Sequence, residues 1–119
     1  MAFIAVSIPV SSPDDIDVAM AHAVESVEVG ADLVEWRIDE WPEEDDSISE
    51  LSKLVDDGPA ACILTVRSVA EGGAFEGSPD DLAEFILAMA EHGIRPRYLD
   101  LEYAMWNASS ALRDAFVAM

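Results

Sequence analysis

Lysine is almost missing from this sequence of 119 residues. Lys53 is the single example, and the six Lys and Arg residues together face 25 Asp and Glu, for a net charge of −19. That shortage of cations argues against a nucleic-acid partner, because phosphate backbones are held by clustered Lys and Arg. It argues equally against an anionic membrane surface. A single cysteine, Cys62, excludes an intrachain disulfide. With only His22 and His92 to join it, no Cys/His spacing of a metal site is present, and no metal is expected. Apolar runs are short, none near the ~20 residues of a membrane span. The N-terminal stretch MAFIAVSIPVSSPDD has no basic segment ahead of its apolar run, so it reads as a first strand and not as a signal peptide. The expectation is a cytoplasmic protein.

What is present is a hydrophobic fraction of 51%, enough for a real core, at a length natural for one domain over residues 1–119. The acidic residues are spread along the chain and not gathered in a tail. Self-repulsion at this charge opposes compaction in dilute buffer, and molar salt screens it to a Debye length of ~3 Å. Low lysine together with dispersed carboxylates reads as adaptation to a salt-rich cytoplasm. An ordinary acidic protein is the alternative.

The hydrophobic pattern alternates between strand and helix. Short apolar runs predict strands near residues 2–8, 33–38, 60–66 and 97–103. Between them, Ile16, Met20, Ala23, Val24 and Val27 repeat at helical spacing behind the start signal Ser11-Ser12-Pro13, and Gly30 ends the run. Ile48, Leu51, Leu54 and Val55 predict a second helix after a loop through Trp41-Pro42 and the acidic stretch 43–46. Ser78-Pro79-Asp80-Asp81 opens a third helix, with Leu82, Phe85, Ile86 and Met89 on its apolar face and Gly93 as its stop. Ala108, Leu112, Ala115, Phe116 and Met119 predict one last helix running to residue 119. The reading is βαβαβαβα with a parallel sheet. Two architectures fit: an open doubly wound sheet, or half of an eight-stranded β/α barrel.

Charges inside these strands are out of place for a sheet buried on both sides. Side chains alternate along a strand, so Glu35 and Arg37 share one face, opposite Val34, Trp36 and Ile38. Asp100 and Glu102 likewise oppose Leu99, Leu101 and Tyr103, and Arg67 ends the third strand. These charges lie toward strand C-termini, where α/β enzymes build their sites. One reading is structural ion pairing, Glu35 with Arg37 and Arg67 with Glu102. The other is a pocket for a small hydroxylated acid, with guanidinium donating to oxygen and carboxylate accepting from hydroxyl. The loop from Arg67 to Gly77, with Gly72 and Gly73, is either a mobile cover or a flexible connection, and is not a phosphate loop. His22, His92 and Lys53 fall on predicted helices as surface charges, and Cys62 reads as a buried small hydrophobe.

Three stretches in order resemble type I 3-dehydroquinate dehydratase, the Schiff-base dehydratase of the shikimate pathway and aromatic amino acid biosynthesis. They are ADLVEWRID from Ala31 to Asp39, LTVRSVAEGG from Leu64 to Gly73, and YLDLE from Tyr98 to Glu102. The resemblance implies the N-terminal half of a TIM (β/α)8 barrel with strand order 1-2-3-4. It implies a lyase that converts 3-dehydroquinate to 3-dehydroshikimate and water, with no cofactor. It further implies that Ser7, Glu35, Arg37 and Arg67 contact substrate, that Glu71 sits beside the catalytic histidine, and that Asp100 and Glu102 support the site. The family's imine-forming lysine, general-base histidine and carboxylate-gripping arginine lie on later strands, and Lys53, His22 and His92 match none of them. The chain alone is therefore expected to be inactive. Its expected partner is the other half-barrel or a second copy of itself, and a non-catalytic half-barrel for binding or assembly is the alternative.

Overall fold

The computed structural model describes residues 2–119. Its first unit is β1 (Ala5–Pro9), a 3-10 turn at Pro13–Asp15 and α1 (Ile16–Glu28); the second is β2 (Leu33–Arg37) and α2 (Asp45–Asp56). The third is β3 (Cys62–Thr65), a 3-10 turn at Val69–Glu71 and α3 (Pro79–Glu91); the fourth is β4 (Tyr98–Asp100) with α4 (Tyr103–Ala108) and α5 (Ser110–Ala118). The strands pair in parallel in the order β1-β2-β3-β4. A doubly wound sheet would put β1 in the interior, so the observed order is that of half a (β/α)8 barrel.

Register separates the two faces. Ile8, Trp36 and Leu64 align across the first three strands, as do Val6, Val34 and Cys62, and these side chains enter the core beneath the helices. Trp36 is 0% exposed, and its indole N–H donates to the Leu54 carbonyl of α2 at 3.0 Å. Burial pushes the Cys62 thiol up to about 11, which keeps it protonated and unreactive at neutral pH. The opposite face carries Ser7, Glu35, Ile63 and Tyr98 in one row and Pro9, Arg37, Thr65 and Asp100 in the next. Among the described residues, no helix covers this second, polar face.

Local chemistry explains the helix starts. Ser78 accepts from the Asp81 amide while Asp81 accepts from the Ser78 amide, a complete capping box with Pro79 at the first helical position. Ser12 makes no such bond to the backbone; its hydroxyl meets the Asp15 carboxylate at 3.4 Å instead. The strands are shorter than or shifted from the sequence reading, β1 beginning at Ala5 and β3 spanning Cys62–Thr65, and three further differences bear on the site. The second helix begins at Asp45, so two residues of the acidic stretch belong to its first turn, where carboxylates suit the helix dipole. The fourth strand stops at Asp100, which removes Glu102 from it. The predicted last helix is α5, started by Ser109, whose hydroxyl accepts from the Leu112 amide, and a short helix the sequence reading lacked, α4, precedes it.

Candidate functional site

Sheet geometry brings the polar side chains of three strands together on the uncovered face. Glu35 stands between β1 and β3: its Oε1 accepts from the Ser7 hydroxyl at 2.7 Å and its Oε2 from the Thr65 hydroxyl at 2.8 Å. These bonds fix the carboxylate while leaving lone pairs free for a ligand hydroxyl. One residue pair further along the strands, Arg37 turns its Nη2 to Asp39 at 2.6 Å. Arg67 leaves the end of β3 and reaches Asp100 at 3.4 Å. Its Nε is buried without a hydrogen-bond partner among the described residues, and that unsatisfied donor is costly unless something accepts from it.

The ion pairs expected from the sequence, Glu35 with Arg37 and Arg67 with Glu102, do not form. Arg37 pairs with Asp39 and Arg67 with Asp100. Asp39 follows Arg37 by two residues, so it remains on the same side of the chain and is the nearer partner. Glu102, in the cap position before α4, faces the β3–α3 loop: its oxygens accept from the Ser68 amide at 2.7 Å and the Ser68 hydroxyl at 2.6 Å. Glu102 therefore anchors the loop instead of joining the arginines. Glu71 is exposed on the 3-10 turn of that loop.

Hydrogen bonds tie this loop to its own base. The Phe75 amide donates to the Arg67 carbonyl at 3.0 Å, and the Gly73 amide to the Ser68 carbonyl at 2.8 Å. Gly73 packs so tightly that a Cβ there would lie 2.2 Å from the Arg67 carbonyl oxygen, and Gly72 takes a left-handed φ of 89° that only glycine adopts freely. Two carboxylates hold this loop from below, Glu102 through Ser68 and Asp39 through Arg67 and Ala74. Asp39, Thr65 and Ser68 are the site residues that sequence reasoning missed. The signal for Asp39 was its place in the period-two trio Glu35, Arg37, Asp39.

Electrostatics follow the contacts. Burial pushes the Asp39 carboxyl up, but the Arg37 guanidinium and the Arg67 and Ala74 amides together hold it below the usual carboxylate range. Arg37 is held above its ordinary value by its bond to Asp39. A cavity of about 260 Å³ opens beside this pair, with Ser7, Ser11, Arg37, Asp39 and Ala74 in its wall. A larger one, about 660 Å³, lies between the β3–α3 loop and α4 and has Glu71 and Glu102 in its wall but no arginine. The smaller cavity holds Arg37 beside two carboxylates, Asp39 and Glu40, and neither Glu35 nor Arg67 lines it.

No lysine or histidine reaches this face. Lys53 is on α2, beside Glu50. His22 lies on α1, and His92 ends α3, where its Nε2 meets the Asp45 carboxylate at 2.8 Å. Among the described residues, no group of three or more His, Cys, Asp or Glu side chains is arranged to hold a metal ion, and no helix is long and apolar enough to cross a membrane.

Comparison with known proteins identifies the family. The chain is 30% identical over 89 residues to the bifunctional 3-dehydroquinate dehydratase/shikimate dehydrogenase, chloroplastic, of Arabidopsis thaliana. The match takes in 75% of this chain, and the chain spans 14% of that protein's length. A family profile described as type I 3-dehydroquinase matches residues 4–115, and with that match over nearly the whole sequence the chain belongs to the type I 3-dehydroquinase family.

Proposed function

We propose that this chain supplies the substrate-binding face of a Schiff-base dehydratase acting on 3-dehydroquinate. The observation that carries the reading is the convergence of Glu35, Arg37 and Arg67 at the C-terminal ends of β2 and β3, on a chain of this family. Glu35 accepts from a substrate hydroxyl, while Arg37 and Arg67 donate to substrate oxygens. Ser7 sets the Glu35 carboxylate from β1, and Asp100 sets Arg67 from β4.

The reaction needs two further groups. A lysine amine condenses with the substrate ketone and releases water, giving an iminium that draws electrons from the adjacent carbon. A histidine takes the proton from that carbon, and the neighbouring hydroxyl departs as water. Hydrolysis of the imine then frees 3-dehydroshikimate and the lysine. The remaining strands of the barrel supply both groups, on whichever polypeptide carries them, and Glu71 stands on the loop that faces that histidine. The 119-residue chain by itself binds without turning over.

Borohydride reduction with 3-dehydroquinate tests the division of labour. The isolated chain is expected to gain no covalent adduct by mass spectrometry. Joined or mixed with the four remaining barrel units, it is expected to give an adduct on their lysine and none on Lys53. An adduct on Lys53 with turnover by the isolated chain contradicts the reading.

The acidic surface belongs to the same proposal as an adaptation to a salt-rich cytoplasm. With a net charge of −19, much of the resistance to folding is carboxylate repulsion, which salt screens. Raising KCl from about 0.1 M to about 2 M should lift Tm on the order of 10 °C, the equivalent of about 2 kcal/mol for a domain near this size. A flat Tm across that range removes the salt-adaptation reading.

A further inference from the structure

Among the described residues, Asp39 is the carboxylate that ties one of the two arginines, Arg37, to the loop that carries the other, Arg67. Its Oδ1 accepts from the Arg67 amide at 2.7 Å, and its Oδ2 accepts from the Ala74 amide at 3.1 Å and from Arg37 Nη2 at 2.6 Å. The side chain is only 9% exposed, so water competes little for these bonds. Arg67 and Ala74 lie near the two ends of the loop, and the bond between the Phe75 amide and the Arg67 carbonyl closes the same base from the backbone side. A side chain at position 73 would collide with the Arg67 carbonyl, so this close approach of the loop to its own base requires glycine there.

We propose that Asp39 is a positioning residue for substrate recognition: it sets the Arg37 guanidinium and the root of the Arg67 segment in one frame, so that both arginines meet the same ligand. The inference rests on the function proposed above and deepens it. Arg37 turns its Nε and Nη2 edge toward Asp39, which leaves Nη1 for the ligand. Without Asp39 the guanidinium is free to rotate toward Glu35 or Asp100, both of which act on its charge, and the loop loses two amide anchors at once.

Asp39→Asn in the 119-residue chain is the test. It keeps one acceptor oxygen and puts an NH2 group where two donors now point. Amide exchange at Ala74 is expected to quicken about 10-fold or more while Leu64 in β3 keeps its protection. Affinity for 3-dehydroquinate should fall about 10-fold, the loss of one charge-assisted bond. In an Arg37→Ala background the same change should cost less affinity than in the wild type, because part of its effect passes through Arg37. Asp39→Glu, which keeps the charge, should recover part of the affinity. A purely structural role would quicken exchange at Ala74 and leave affinity untouched, and that result overturns the proposal. Loss of affinity with unchanged exchange also overturns it, since Asp39 would then touch the ligand itself. If the wild-type chain binds no 3-dehydroquinate, the function reading fails and this role with it, whereas the exchange rates still report whether Asp39 holds the loop.

Discussion

Trp36→Ala is expected to destabilise the chain by about 3–5 kcal/mol, the usual cost of emptying a fully buried aromatic site. That is a large share of the ~5–15 kcal/mol that holds a small domain together. The indole fills the space between β2 and α2, with 0% exposure, and its N–H satisfies the Leu54 carbonyl near the end of α2. The substitution therefore opens a cavity and leaves a buried acceptor without a partner. Trp36→Phe separates the two effects: it keeps most of the packing and loses the hydrogen bond, for about 1–3 kcal/mol. Urea unfolding in molar salt, where the wild type is most stable, measures both. A cost below about 1 kcal/mol for the alanine variant would mean that Trp36 faces the open side, and a one-residue slip of that kind would turn Glu35 and Arg37 into the helical layer.

The register of β2 was legible because the sequence Val34 to Asp39 alternates apolar and charged residues without interruption, and only one placement buries Trp36 while leaving Glu35 and Arg37 on the open face. The strand order was legible through the family resemblance more than through periodicity, which left two parallel architectures open. The end of β4 was not legible. Leu99, Leu101 and Tyr103 continue the alternation, yet pairing stops at Asp100 and α4 begins at Tyr103, with the Glu102 carboxylate committed to the Ser68 amide and hydroxyl. That is a tertiary demand, and no local pattern expresses it. The short helix α4 was not legible because its first residue, Tyr103, continued the strand alternation, whereas α5 was legible from the repeat of Ala108, Leu112, Ala115 and Phe116. The site residues showed a similar split. Glu35, Arg37 and Arg67 stood out as charges within strands, while the role of Asp39 depends on amides 28 and 35 residues away. The three glycines of the β3–α3 loop signalled an unusual backbone, and only packing shows that Gly73 serves close approach and not mobility.

The second large effect belongs to the arginines. Replacing Arg67 or Arg37 by alanine is expected to weaken 3-dehydroquinate binding about 10- to 100-fold, since each removes a charge-assisted donor from a partly desolvated face. The double variant should bind with no measurable affinity. Arg97→Ala serves as the control: it removes the same charge from an exposed residue just before β4, where Arg97 lies over the Tyr98 ring.

The most direct test of the open polar face as the binding surface is a titration of isotope-labelled chain with 3-dehydroquinate, followed by NMR at the arginine side chains. The account predicts saturable shifts at the Nε–H signals of Arg37 and Arg67 and at the amides of Ser7, Glu35 and Thr65, with Arg95, Arg97 and Arg113 unmoved. Shifts confined to Arg95, Arg97 and Arg113, or no saturable shift at Arg37 and Arg67 with millimolar ligand, would contradict it.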